Sequence, residues 1–149
     1  MHDSKNRSLL YFNSSDRQPL LVSEINQAGW HVKLAKDIQD AQNILFKYSP
    51  RVAIAQFDDS DHSLEVPTEN FFRSTDRVEW VALLPKNHLN KSQIKQVLSE
   101  SFYDFHTLPP ATEKLLTTLG HAFGMASMRH DKLNPDHEPI SNEDEMVGA

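Results

Sequence analysis

A chain of 149 residues with 15 Lys and Arg against 21 Asp and Glu, a formal charge of −6 and no cysteine has room for one core plus a tail. It excludes disulfides, thiolate metal sites and cysteine nucleophiles. With a polar start and no apolar run of membrane length, it is expected in the cytoplasm without anchor or signal peptide. The charge is uneven. Residues 129–149 hold six acids and two bases, a net of −4, and residues 1–128 carry only −2. Neither part offers a broad basic surface, so direct nucleic acid contact is not expected.

The apolar run Leu9-Leu10-Tyr11-Phe12, closed by Asn13-Ser14-Ser15-Asp16, suits a buried strand of a parallel sheet. Pro19 can sit in a first helical turn, with Leu20, Leu21, Ile25 and Ala28 on one face and Gly29 as the residue that ends the helix. Ser14 and Ser15 lack a base or an oxyanion loop and read as caps of that helix. His31 to Ala35 alternates like an edge strand. Asp37 is placed to cap a helix built on Ile38, Ala41, Ile44, Leu45 and Tyr48, which Pro50 stops. Val52 to Phe57 is the third strand, followed by the acidic loop Asp58-Asp59-Ser60-Asp61. A weak helical stretch near Thr68–Phe72 precedes a fourth strand at Val78–Leu84. A helix is expected over Lys91–Ser99, a fifth strand over Phe102–His106, and a long final helix capped by Thr112 with Leu115, Leu116, Leu119, Ala122, Phe123 and Ala126 inward. Beyond Arg129 the periodicity ends, and Pro135 and Pro139 mark a linker.

Five strand–helix units with short connections predict an α/β fold, a parallel sheet of order 2-1-3-4-5 covered on both faces by helices. Ligands of such sheets lie beyond the carboxyl ends of the strands, at Asn13–Asp16, Phe57–Asp61, Leu84–Lys86 and Thr107–Pro109. None of the four glycines falls at these ends, and GxGxxG and P-loop motifs are absent, which argues against nucleotide binding by those devices. The eight histidines show no metal-ligand spacing. Trp30 and Trp80 read as core or edge aromatics, and Glu79 with an exposed Trp80 could join the end of the last helix in a pairing surface.

Three local patterns, Gln27-Ala28-Gly29-Trp30-His31-Val32, Ser49-Pro50-Arg51-Val52-Ala53-Ile54-Ala55 and Tyr103-Asp104-Phe105-His106-Thr107-Leu108-Pro109, together resemble the flavodoxin-like (βα)5 receiver domain of bacterial response regulators over residues 8–128. A working receiver requires an acidic pair for Mg²⁺ after the first strand, an Asp ending the third, a Thr or Ser after the fourth, and a Lys before the final Pro. Here those positions fall on Phe12, Asn13 or Ser14, on Gln56, on Leu84 or Pro85, and on Leu108 before Pro109. Most of the phosphorylation apparatus reads as replaced. Asp59 or Asp58 remains a candidate phosphoacceptor, with Mg²⁺ as cofactor in that case alone; otherwise no cofactor or metal is expected.

The ending Glu143-Asp144-Glu145-Met146-Val147-Gly148-Ala149 resembles the approach to the AAA+ module of sigma-54-dependent, enhancer-binding activators, and residues 129–149 then form the linker toward that module. The resemblance is strongest to activators of biofilm and exopolysaccharide genes in vibrios. It implies a non-enzymatic regulatory domain that dimerises and governs a downstream AAA+ ATPase and DNA-binding part, with cyclic di-GMP binding in the full-length protein. The alternatives are a phosphoacceptor receiver using Asp59 or Asp58, and a stand-alone interaction adaptor.

Overall fold

The computed structural model describes residues 7–14, 17–57, 66–75 and 77–133, and of residues 66–69, 93 and 130–133 the backbone alone. The elements are β1 (Ser8–Asn13), α1 (Val22–Gln27), β2 (His31–Ala35), α2 (Ile38–Tyr48), β3 (Val52–Gln56), α3 (Val66–Ser74), β4 (Glu79–Leu84), α4 (Ser92–Ser101), β5 (Asp104–Thr107) and α5 (Thr112–Leu133), with a 3-10 turn at Lys86–Asn90. The strands form one sheet in the order β2-β1-β3-β4-β5, and every pair is parallel. This is the expected topology.

The central strands carry continuous apolar runs because both their faces are covered. Successive side chains point to opposite faces, so each strand feeds two cores. Leu9, Tyr11, Val52, Ile54, Val81 and Leu83 pack with Ile25, Trp30, Leu115, Leu119 and Ala122. Leu10, Phe12, Ala53, Ala55, Ala82 and Leu84 pack with Ala41, Phe71, Phe72, Trp80 and Ile94. The small Ala53, Ala55 and Ala82 leave room for large rings on the second face. There Phe72 meets Phe12, Phe57, Phe71, Trp80 and Phe102 at centroid separations of 4.9–6.2 Å.

Several local expectations hold. Asp37 caps α2, its side chain accepting from the Asp40 N–H at 2.8 Å. Gly29 follows α1 with φ of 104°, a conformation open to residues without a Cβ. The stripe of α5 faces the core, with Leu115, Leu119, Ala122 and Ala126 buried.

Others are corrected. Helix α1 begins at Val22, not in the turn of Pro19, since the Leu20 N–H is drawn into hydrogen bonds with Tyr11 and Gln56 of the sheet and Leu21 takes a left-handed conformation. Ser14, eight residues before α1, does not cap it; Ser15 lies outside the described residues. Strand β5 is shifted to Asp104–Thr107, and Phe102 packs into the ring cluster beside it. Thr112 is the first residue within α5 rather than its cap. The 3-10 turn, missed in the sequence, buries His88.

Glu79 and Trp80 are also corrected, for both are buried rather than surface-forming. The Trp80 indole N–H donates to Thr75 Oγ1 at 2.6 Å. Glu79 pairs with Arg129 near the end of α5. Burial raises the Glu79 carboxyl above its ordinary value, and Arg129 offsets part of that. The folded state therefore holds this proton more tightly than the unfolded chain. The resulting stability is full below the ordinary Glu value of about 4.3 and is lost as pH rises through the raised value. Urea melts across this range should show Glu79→Gln with a flatter pH dependence than wild type; parallel slopes would contradict the assignment.

Candidate functional site

The carboxyl ends of β1, β3, β4 and β5 converge on one edge of the sheet. Asn13 stands opposite Gln56, and Gln56 opposite Leu83. The Phe57 N–H bonds the Leu83 carbonyl at 2.8 Å, and the Leu108 N–H bonds the Leu84 carbonyl at 3.0 Å. Leu84 closes β4, Pro85 follows it, and Leu108–Pro109, joined by a cis peptide, follow β5. The sequence-selected residues Asn13, Ser14, Gln56, Leu84, Pro85, Leu108 and Pro109 thus occupy the ends of adjacent strands. Asp58 and Asp59 lie outside the described residues.

At the end of β3 the side chain of Gln56 is 1% exposed, and both its amide oxygen and its amide nitrogen are hydrogen-bonded. Its Oε1 accepts from the Tyr11 hydroxyl at 2.6 Å and from the Leu20 N–H at 3.1 Å. Its Nε2 donates to the Gln18 carbonyl at 3.1 Å. Tyr11 Oη accepts from the Leu20 N–H at 2.8 Å and has the Leu20 carbonyl at 2.9 Å as a second acceptor for its proton. Burial pushes the Tyr11 phenol well above its ordinary value, partly offset by the Leu20 contact, so the group stays protonated and can donate. Beside them the Asn13 amide donates to the Arg17 carbonyl at 2.8 Å. Amides and a phenol here hold the β1–α1 connection against the sheet.

This chemistry differs from a metal-assisted phosphoryl acceptor. Mg²⁺ requires hard, anionic oxygen ligands, and the described residues at these strand ends supply the amides of Asn13 and Gln56, the Ser14 hydroxyl and apolar side chains. The one side-chain carbonyl in the centre, Gln56 Oε1, already accepts two hydrogen bonds. The described residues do not fit Mg²⁺, and among them no group of three or more His, Asp or Glu could hold a metal. Gln56 was selected in the sequence, but its partner Tyr11 was read as core. Its hydroxyl, placed by strand alternation on the same face as Gln56, is the one sequence hint to the network.

The 2-1-3-4-5 parallel sheet with a site at its carboxyl edge is that of a receiver-like domain. The chain belongs to the VpsR domain family, whose model matches residues 1–120. No curated protein matches it. Among solved structures it is similar to NtrX from Brucella abortus in complex with ATP, with a TM-score of 0.69 and 13% identity over 91% of this chain and 31% of that one. It thus spans about a third of NtrX. It is also similar to the receiver domain of NtrC4 from Aquifex aeolicus, with a TM-score of 0.62 and 17% identity over 78% of this chain and 96% of that one. A response regulator receiver domain from Clostridium thermocellum gives a TM-score of 0.60 and 14% identity, covering 82% and 98%. At such identities these likenesses show the fold. Among the described residues no helix is long and apolar enough to cross a membrane.

Proposed function

We propose that the chain is the regulatory receiver-like domain of a bacterial sigma-54-dependent transcription activator, acting without the standard phosphorylation site. The observation that carries this reading is Gln56, whose buried amide bonds the β1–α1 connection where a receiver places its acceptor Asp. An amide offers no nucleophilic carboxylate oxygen to a phosphoryl group. The domain then acts through packing and oligomeric state: a homodimer, with α5 leading toward a downstream AAA+ ATPase. A coupling of about 1–3 kcal/mol between two states is enough to bias such an assembly. The sequence resemblance to vibrio activators is what supports a role in biofilm and exopolysaccharide gene control, in the cytoplasm, with cyclic di-GMP acting on the full-length protein. The domain itself is read as non-enzymatic and as making no contact with DNA.

Incubation of residues 1–149 with Mg²⁺ and acetyl phosphate or beryllofluoride tests the reading. Neither a phosphoryl mass gain nor a change in tryptophan emission is expected. A second reading rests on strand pairing that extends through Phe57, the residue that precedes Asp58 in the sequence. A response abolished by Asp59→Ala or Asp58→Ala would establish that aspartate as phosphoacceptor and overturn the first. Light scattering across concentration should show a dimer, and a strictly monomeric chain would count against oligomer control.

A further inference from the structure

At the opposite edge of the sheet, where the strands begin, the charge is inverted relative to the acidic chain. Arg7 directly precedes β1, Arg51 precedes β3, and Arg77 lies in the turn before β4. Arg129, near the end of α5, joins them through Glu79. Four arginines against Glu79 leave +3 at the starts of three adjacent strands. Arg73 nearby is answered by Glu100 at 2.8 Å, Asp104 lies on the outer strand β5, and His31, exposed at the start of β2, adds no acid.

Two of these guanidinium groups are held by rings rather than by carboxylates. Arg7 lies over Trp30 at 4.3 Å and over Phe123 at 4.9 Å. Arg51 lies 5.6 Å from the same Phe123 ring and donates to Ser127 Oγ at 2.7 Å. Trp30 and Phe123 meet edge to face at 5.6 Å. Stacking fixes a guanidinium plane while leaving N–H groups for an anion. Among the described residues neither arginine has an acid partner, and the buried Arg51 Nε has no acceptor.

We propose that this basic edge is a docking surface for the acidic segment of the same chain that follows α5. Residues 134–149 contain Asp136, Glu138, Glu143, Asp144 and Glu145 with no Lys or Arg, a charge of −5. Helix α5 runs toward this edge, since its Ser127 and Arg129 touch Arg51 and Glu79. The 12 residues from Leu133 to Glu145 can span roughly 40 Å when extended, whereas the starts of β1, β3 and β4 are about 10 Å apart across two strand spacings. A single exposed ion pair would be too weak to hold them. Several pairs on one tether, at the high effective concentration a short tether gives, form a latch that salt opens. The latch involves this chain alone and stands whether or not the domain regulates an ATPase.

The absence of cysteine makes the test clean. A nitroxide on Ser141→Cys in the full 149-residue chain should selectively attenuate the amide resonances of Arg7, His31, Arg51 and Arg77 at low ionic strength. Intensity should return in 0.5 M NaCl and in the triple variant Glu143→Gln/Asp144→Asn/Glu145→Gln, whose unchanged amide spectrum elsewhere would verify folding. Attenuation at the β3–β4 carboxyl edge instead, or none, would overturn the proposal. So would attenuation that appears only when spin-labelled chains are mixed with separate isotope-labelled ones, since that would place the segment on a second copy.

Discussion

Replacing Phe72 by alanine is expected to lower the stability of the domain by about 3–5 kcal/mol, the range for removing a large buried aromatic side chain. Phe72 touches five other aromatic rings, so the cavity is lined by side chains that also hold one another. Rings of this rigidity collapse poorly into a void, which favours the upper end of the range. The loss also reaches the site indirectly, because Phe57, the residue directly after β3, rests on Phe72. Urea denaturation followed by tryptophan emission measures the effect, with Trp80, edge to face with Phe72 at 4.9 Å, as local reporter. A cost below about 1.5 kcal/mol, that of a well-tolerated core substitution, would show that the cluster is not close-packed.

Gln56→Leu should lower stability by about 2–3 kcal/mol, because it keeps the bulk but removes one acceptor and one donor. The Gln18 carbonyl loses its partner, and the Tyr11 hydroxyl keeps the Leu20 backbone as its partner. Leaving buried polar groups short of partners costs more than a hydrogen bond is worth in net terms. Tyr11→Phe alone should cost about 1–2 kcal/mol, since the Leu20 N–H retains Gln56 Oε1. Because the two side chains share one network, the double variant should fall short of the summed losses by about 0.5–3 kcal/mol. Strict additivity would mean that the Tyr11–Gln56 bond does not couple β1 to β3. Hydrogen exchange should also accelerate at the Leu20 amide in Gln56→Leu.

The topology was legible in the sequence because periodicity carries it. Buried strands such as Leu9-Leu10-Tyr11-Phe12 and Val52-Ala53-Ile54-Ala55 read as continuous apolar runs, and Asp37 and Gly29 mark helix ends by mechanisms local to a few residues. The misreadings are non-local. Pro19-Leu20-Leu21 has the composition of a helix start, and the residue that draws it out of α1 is Gln56, 36 residues away from Leu20. Trp80 and Glu79 alternate as an exposed and a polar residue would, yet α3, α4 and α5 cover both faces of β4 at that point. The site was legible as a set of positions through strand ends and family resemblance. Its chemistry was not, because the Tyr11–Gln56 bond joins residues that only the pairing of β1 with β3 brings together. Asp58 and Asp59, left open by the sequence, await the acetyl phosphate experiment.

The length of α5 has mechanical meaning. His106 on β5 bonds Thr118 at 2.8 Å, a fulcrum inside the helix, and 15 residues continue from there to Leu133. At 1.5 Å per residue that arm is about 22 Å long, so a tilt of about 10° at the fulcrum moves its tip by about 4 Å. The same tilt would shift Ala126 by about 2 Å, so the buried Ala122 and Ala126 and the Arg51–Ser127 and Glu79–Arg129 contacts must repack before the tip can move. Those contacts stiffen the arm, so the angle of α5 is tied to the packing of the sheet beneath it as far as Arg129.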